Sequence, residues 1–375
     1  MAIGRRNFIL GAGGVLALAG AGTAWRVTRM PETAAAPWAF DPAPLPDVRL
    51  DAFRYAILAP NPHNRQPWLI RMEGEDAAVL TIDLAKRLPE TDPFDRQLTI
   101  GFGTFIELAC IAAAERGARV EVTPFPDGEP QPRLDTRPIA RLTFVRDATA
   151  TRDPLFAAIP LRRTNRTVYS GSPTAAQLAS LAGEGAVTST DPTLIAGVRA
   201  IAVAAIEGEI RDAPAFKESI DLMRIGHAEI DANPDGIALS GPMIEATNAL
   251  GLTTRAALSD PTSTAFSIGL DDARTTYGSV PAAVWINTAG NSRAEQLDAG
   301  RRYARVSLRA AALGLAMHPM SQSLQEYAAM KPHYDAIHAL LAKDTDERIQ
   351  MLARVGVAGP VDPAPRWPLA THIVT

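Results

Sequence analysis

A helical stretch that ends in small residues and a glycine, then turns into a short strand, occurs twice in this 375-residue chain. Phe105 to Arg116 carries apolar residues at helical spacing and stops at Gly117, after which Arg119 to Thr123 reads as a strand. Far downstream, Arg293 to Leu313 reads as a long helix, Gly314 follows it, and Leu315 to Met317 opens an extended segment. The fragments Ala112-Ala113-Ala114-Glu115-Arg116-Gly117 and Ala310-Ala311-Ala312-Leu313-Gly314 suggest a worn internal duplication, although small-residue helix ends are common. Val79 to Leu84 reads as a further strand and Pro124 to Pro138 as a connector. The expectation is two related α+β halves joined between Val145 and Pro160, a reduced first half over 51–150 and a second over 151–375. Within the second half, residues 228–277 are rich in Gly, Thr, Ser and Asp and lack strand alternation. They read as an insertion of short helices and loops, either a cover for an active site or a surface excursion without a role.

The two ends of the chain's charge pattern differ from its body. Arg5 and Arg6 precede Asn7, and no charged residue occurs from Phe8 to Trp25, a basic region followed by an apolar one. Arg-Arg-Asn-Phe-Ile-Leu resembles a twin-arginine (Tat) export signal, with an apolar region softened by Gly11, Gly13, Gly14, Gly20 and Gly22. The same stretch reaches the lower length limit of a membrane anchor. Ala19-Gly20-Ala21 and Ala34-Ala35-Ala36 offer small-residue cleavage sites. The expectation over residues 1–30 is therefore export through the Tat machinery, to the periplasm or anchored to a membrane facing it. Five prolines between Pro31 and Leu50 then read as an extended tether over 31–50. A net charge of −4 gives no field that would hold nucleic acid. A single cysteine, Cys110, allows neither a disulfide nor a Cys-rich metal site. Its apolar helical setting reads as inert core, and no metal site is expected.

Three segments carry chemistry. In Pro60-Asn61-Pro62-His63-Asn64-Arg65-Gln66-Pro67-Trp68, prolines and carboxamides fix an irregular backbone suited to a polar planar ligand, or equally to a rigid turn before the strand at Trp68. Arg162-Arg163-Thr164-Asn165-Arg166 concentrates three guanidinium groups and a hydroxyl, a donor set matched to phosphate oxygens unless it is solvated surface. The third, Leu313 to Gln322, emerges from a helix end as an apolar strip with small polar groups, and its His318 reads as structural because no carboxylate or nucleophile accompanies it in a recognisable pattern.

Together these segments resemble the nitroreductase family of flavin enzymes. Asn61 to Trp68 is similar to that family's Asn-x-Gln-Pro-Trp element, Arg162 to Arg166 to its arginine element, and Leu313 to Gln322 to the stretch after its long central helix. Met351 to Gly356 and Pro365-Arg366-Trp367-Pro368 resemble its Arg-x-Gly and Pro-Arg-x-Pro ending. Each element occurs once, the loop in the first half and the others in the second. The chain therefore resembles the fused, Acg-like branch, in which two modules form a pseudo-dimer with one intact site. The resemblance implies an α+β fold of mostly antiparallel sheets wrapped by helices, with FMN between the halves, and a monomer or homodimer. It implies that Arg162, Thr164 and Arg366 meet the phosphate and ribityl chain, with a less defined part for Arg163, and that Arg166 sits near the flavin N1. Pro60, Asn61, Pro62, Asn64 and Gln66 would line the ring from the first half, and Pro319, Met320 and Ser321 would supply contacts at its reactive edge. Asn61 and Pro62 where Ser is common, and Ser321 and Gln322 in place of acidic or Gly residues, depart from the pattern.

The implied activity is electron transfer from NAD(P)H, or another donor, through FMN to a nitroaromatic, quinone or similar small-molecule acceptor. No catalytic protein side chain is required, because the flavin carries the chemistry. The absence of a GxGxxG strand-turn-helix unit agrees with a nicotinamide that only visits the flavin. Export leaves a second reading open, a non-catalytic flavoprotein that binds or sequesters FMN beneath the 228–277 insertion.

Overall fold

The computed structural model describes residues 31–39, 41 and 43–375, so the leader expected over 1–30 lies outside the described residues. Pairing of apolar faces sets the first layer. Trp68–Glu73 (β1) and Ala77–Ile82 (β2) are antiparallel, with Trp68 opposite Ile82 and Ile70 opposite Leu80, all four buried. Ala118–Pro124 (β3) and Ala140–Arg146 (β4) complete it in the order β1-β2-β4-β3, antiparallel throughout. The second layer begins with Val187–Ser189 (β5). An excursion containing the parallel pair Met223–Ile225 (β6) and Ile237–Leu239 (β7) follows, and the layer resumes with Ala282–Thr288 (β8), Ala316–Pro319 (β9) and Arg348–Gly356 (β10). Its order is β5-β8-β10-β9, again antiparallel. Both layers thus share one strand order and place one long helix between their second and third strands. Ile373–Val374 (β11) returns to the first layer and pairs in parallel with β1.

Five helices position the site: Val48–Ala56 (α1), Arg96–Glu115 (α2), Pro192–Arg211 (α3), Thr264–Gly278 (α4) and Arg293–Ala312 (α5). The 20-residue helices α2 and α5 cross at Gly103 and Gly300. A Cβ on Gly103 would overlap the Leu297 carbonyl oxygen and lie 2.9 Å from the Gly300 Cα, and one on Gly300 would overlap the Ile100 carbonyl oxygen. Glycine is required here by close approach of two backbones. The exchange extends to side chains: Ile100 of α2 is buried in the core of the second layer, and Leu297 of α5 in that of the first. It extends also to charge. Arg96, the first residue of α2, donates to the Leu324 and Gln350 carbonyls and pairs with Glu326, while Arg293, the first of α5, donates to the carbonyls of Phe94, Pro130 and Pro132.

Boundaries differ from the sequence reading where tertiary contacts override local preference. The helix expected from Phe105 starts at Arg96, because Gly101 and Gly103, poor helix formers, are held there by packing. The strand expected over 79–84 is shifted to Ala77–Ile82. The excursion starts at Pro192, well before 228, and is tied to the first half by Asp235, which takes Arg224 and Lys86 at 2.6 Å each. Burial pushes that carboxyl up, but Lys86 and Arg224 outweigh it and hold Asp235 below its ordinary value. The segment expected as an extended tether is also folded. Glu32–Ala35 and Ala36–Trp38 form two short helical turns, Ala34 is fully buried, and α1 begins at Val48 with Asp47 as its cap. Arg366 explains this departure: its backbone N–H donates to the Ala34 carbonyl, and Trp38 donates through Nε1 to Ala364.

Candidate functional site

The loop after α1 is held in a conformation that L-residues seldom adopt. His63, Asn64 and Gln66 have φ of 46°, 52° and 51°, each disfavoured by about 1 kcal/mol. Hydrogen bonds from three directions keep it so. Asn61 Oδ1 accepts from the Gln66 N–H at 2.7 Å, and Asn64 Nδ2 donates to the Pro365 carbonyl at 2.9 Å. Gln66 accepts from the Trp367 N–H and donates to the Pro234 carbonyl. Arg366 is spent on the same loop, donating to the carbonyls of Ile57, Leu58 and Ala59 and to Asn64 Oδ1.

Opposite this loop, the turn after Phe156–Leu161 brings in the arginines. Arg162 is buried, and among the described residues its guanidinium makes one hydrogen bond, at 3.3 Å to the Leu58 carbonyl, with no partner at Nε. Burial, with Arg163 adding repulsion, pulls its guanidinium down to about 10. Arg163 stacks on Trp38, 4.6 Å from the ring centroid, and Arg166 is exposed. Among the described residues, no carboxylate lies within 4.0 Å of Arg162, Arg163, Arg166 or Arg366. Buried positive charge without a counterion is costly, and an anion relieves it.

Loop and arginines face one cavity of about 830 Å³ between the two layers, in the range of small-molecule and cofactor sites. Gln97, Ile100, Gly101 and Thr104 of α2, Tyr303 of α5, and His318, Pro319, Ser321 and Gln322 form its walls, and residues 360–366 its rim. The excursion covers it with Ile206, Glu209 and Ile210 of α3, Phe216, and Phe266, Leu270 and Ala273 of α4. His318 is buried and accepts at Nδ1 from Arg354 Nε at 3.1 Å, so its proton is on Nε2. Burial together with Arg166 and Arg354 holds it well below the ordinary histidine range, so it is neutral. Arg354 itself lies over Tyr169, 3.9 Å from the centroid.

No protein-family model matches the chain. Over 339 residues it is 29% identical to "Putative NAD(P)H nitroreductase Rv3131" of Mycobacterium tuberculosis, covering 84% of this chain and 88% of that protein. Over 128 residues it is 32% identical to "Putative NAD(P)H nitroreductase acg" of the same organism, covering 34% of this chain and 37% of that protein. The chain is similar in sequence to these two proteins over those spans. Among solved structures, a "putative nitroreductase" of Anabaena variabilis superposes with a TM-score of 0.41 at 10% identity, over 76% of this chain and 69% of that one. An FMN-dependent nitroreductase NfnB of Mycobacterium smegmatis in complex with NADPH superposes with a TM-score of 0.32 at 15% identity, over 55% and 89%.

Of the residues singled out in the sequence, Pro60, Asn61, Pro62, Asn64, Arg162, Arg163, Thr164, Arg166, Pro319, Ser321 and Arg366 all border the cavity. Gln66 and Met320 do not. Gln66 clamps the loop to Trp367 and Pro234, and Met320 is fully buried in the core beneath β8 and β10, its N–H on the Leu352 carbonyl. Arg366 touches the cavity, yet its donors are engaged by protein acceptors, so it shapes the loop. Sequence reasoning missed Trp38, Glu209, Tyr277, Tyr303 and Gln325, which come from separate elements with no local motif. Cys110 packs against the first core, and burial pushes its thiol up to about 12.

Proposed function

We propose that the chain is an FMN-dependent oxidoreductase of the nitroreductase type, taking electrons from NAD(P)H and passing them to a nitroaromatic, quinone or similar acceptor. The observation that carries this reading is the arginine cluster without counterions, set across the cavity from the strained loop at 60–66. A flavin mononucleotide fits these residues: its phosphate is a dianion for Arg162, Arg163 and Thr164, and Arg162 Nε has no other partner. Bound there, the flavin supplies hydride and electron transfer, which no side chain can. Arg166 keeps an unpaired positive charge on the wall, favouring negative charge on whatever lies beside it. His318 is fixed by Arg354 as a neutral donor from Nε2. Helices α3 and α4 exclude water with Ile206, Ile210, Phe266 and Leu270.

The repeated strand order, the Gly103–Gly300 crossing and the reciprocal placement of Ile100 and Leu297 support reading the chain as two fused modules, each like a subunit of a symmetric pair. One chain then completes one site, and a monomer suffices. Arg5-Arg6 and the uncharged stretch after them support Tat-dependent export to the periplasm or anchoring at its membrane, which cell fractionation with Arg5→Lys/Arg6→Lys tests. For the activity, purified FMN-loaded protein is mixed anaerobically with NADPH and then NADH. Bleaching of the visible flavin band that a nitroaromatic or quinone reverses is the expected result. A flavin that bleaches with dithionite but with neither nucleotide overturns the nicotinamide-dependent activity.

A further inference from the structure

The cavity is bipolar, and its second pole is unexplained by a flavin phosphate. At the end covered by the excursion, Glu209 of α3 lines the cavity at 5% exposure with no cationic side chain within 4.0 Å among the described residues. Its carboxyl accepts from Gln325 Nε2 at 2.7 Å and from Ser219 Oγ at 3.3 Å, and the Gln322 carboxamide also donates to it, all neutral donors. Gln325, 2% exposed and also lining the cavity, turns its carboxamide into the same cluster and keeps Oε1 without a partner. Tyr277 donates to Gln322 Oε1 at 2.7 Å, so that acceptor is already used. Glu218 accepts from Thr91 and the Glu90 N–H and adds negative field.

Two buried acceptors therefore lack what would satisfy them, one a carboxylate without a cation and one a carbonyl without a donor. The same cavity is lined by Ile206, Ile210, Phe266, Leu270 and Ala273, apolar residues of the kind that an aromatic frame packs against. The protein does not pair the two poles with each other, so an occupant at each is needed to neutralise both. We propose that the excursion end of the cavity is a subsite for an aromatic group bearing a positively charged, multiply N–H-donating substituent, an amidinium or protonated amine, held by Glu209 and the Gln325 carboxamide oxygen. The inference rests on the flavin reading, in that the group would belong to the electron donor or acceptor that meets the cofactor. Burial raises the Glu209 carboxyl above its ordinary value, and a cation beside it would favour the ionised form.

Calorimetric titration of the full FMN-loaded chain with benzamidine and with benzamide, its neutral near-isostere, tests this. Benzamidine is expected to bind about tenfold or more tightly than benzamide. Glu209→Gln should bring the two probes within about twofold, and Glu209→Asp should keep part of the preference. If Glu209→Gln fails to fold, Gln325→Leu serves in its place and should weaken benzamidine more than benzamide. Equal affinity of the two probes, or a preference that survives Glu209→Gln, overturns the subsite. A preparation without the flavin absorbance overturns the cofactor reading while leaving the probe comparison intact.

Discussion

Helices α2 and α5 have the same length, the same place in their layers and the same glycine at their crossing, yet α2 gives four residues to the cavity of about 830 Å³ and α5 only Tyr303. Near its glycine, α2 presents Gly101 and Thr104 to the loop at 60–64, and the Gly101 Cα faces Asn61 and Pro62 so closely that a Cβ would lie 3.3 Å from each. At the matching distances from Gly300, α5 carries Asp298 and Arg301. There Arg301 and Arg305 take Glu107 at 2.8 and 3.1 Å, and Arg305 also takes Asp153 and Glu184 at 2.7 and 2.8 Å. One face leaves its arginines without carboxylates and stays open. The other neutralises them internally and needs no guest. The sign and pairing of a few side chains, more than the architecture, separate a ligand site from a filled one.

The largest effect should come from the shared element. Gly103→Ala and Gly300→Ala each place a methyl on a backbone carbonyl and should cost about 3 kcal/mol or more, or abolish folding, as measured by urea denaturation. A large cost at one position and none at the other would break the equivalence of the helices. The two faces should then part company. Arg162→Met is expected to weaken FMN retention about a hundredfold or more while leaving the flavin-free protein no less stable, because an uncompensated buried charge is removed. Arg305→Met should do the reverse, lowering stability by about 1–3 kcal/mol with FMN retention unchanged.

Acid sharpens the comparison further. Burial holds His63 down to about 4, with Arg166 and Arg65 contributing, and holds His372 down to about 4 beneath the first layer. An unfolded histidine takes up its proton near 6.5, so these groups lend stability fully above that pH. It is lost as the pH falls from 6.5 toward 4, by up to about 3 kcal/mol each. His63→Gln should flatten the pH dependence of the denaturation midpoint. An anion bound beside Arg166 should flatten it too, so FMN-loaded wild type should tolerate acid better than the flavin-free form. The smallest effect is expected at Trp38→Ala, which removes a stacked cation–π contact of about 0.5–2 kcal/mol and should raise the FMN dissociation constant about tenfold or less.

The α+β class was legible in the sequence, because alternation and helix-stopping glycines are local signals, and residues from all three singled-out segments border one cavity. Gln66 shows where that legibility stops. It lies within the expected binding loop, but its carboxamide is claimed by Trp367 and Pro234, partners about 300 and 170 residues away. Glu209 shows the converse, an unremarked acid on an amphipathic helix that becomes a cavity wall only after the excursion folds back. Trp38 was hidden by its prolines, which argued for a tether until Arg163 and Arg366 supplied something to stack on.

The arm from Arg366 to β11 sets the timing of assembly. Its guanidinium fixes the carbonyls of residues 57–59, and its strand closes the edge of β1, so the binding loop cannot take its shape while residues up to Val374 are still inside a ribosome. Any ligand that needs this loop therefore binds only after residues 366–374 have emerged. A nascent chain has no pocket to fill, and any partner that holds the protein before loading meets a first layer with an open edge.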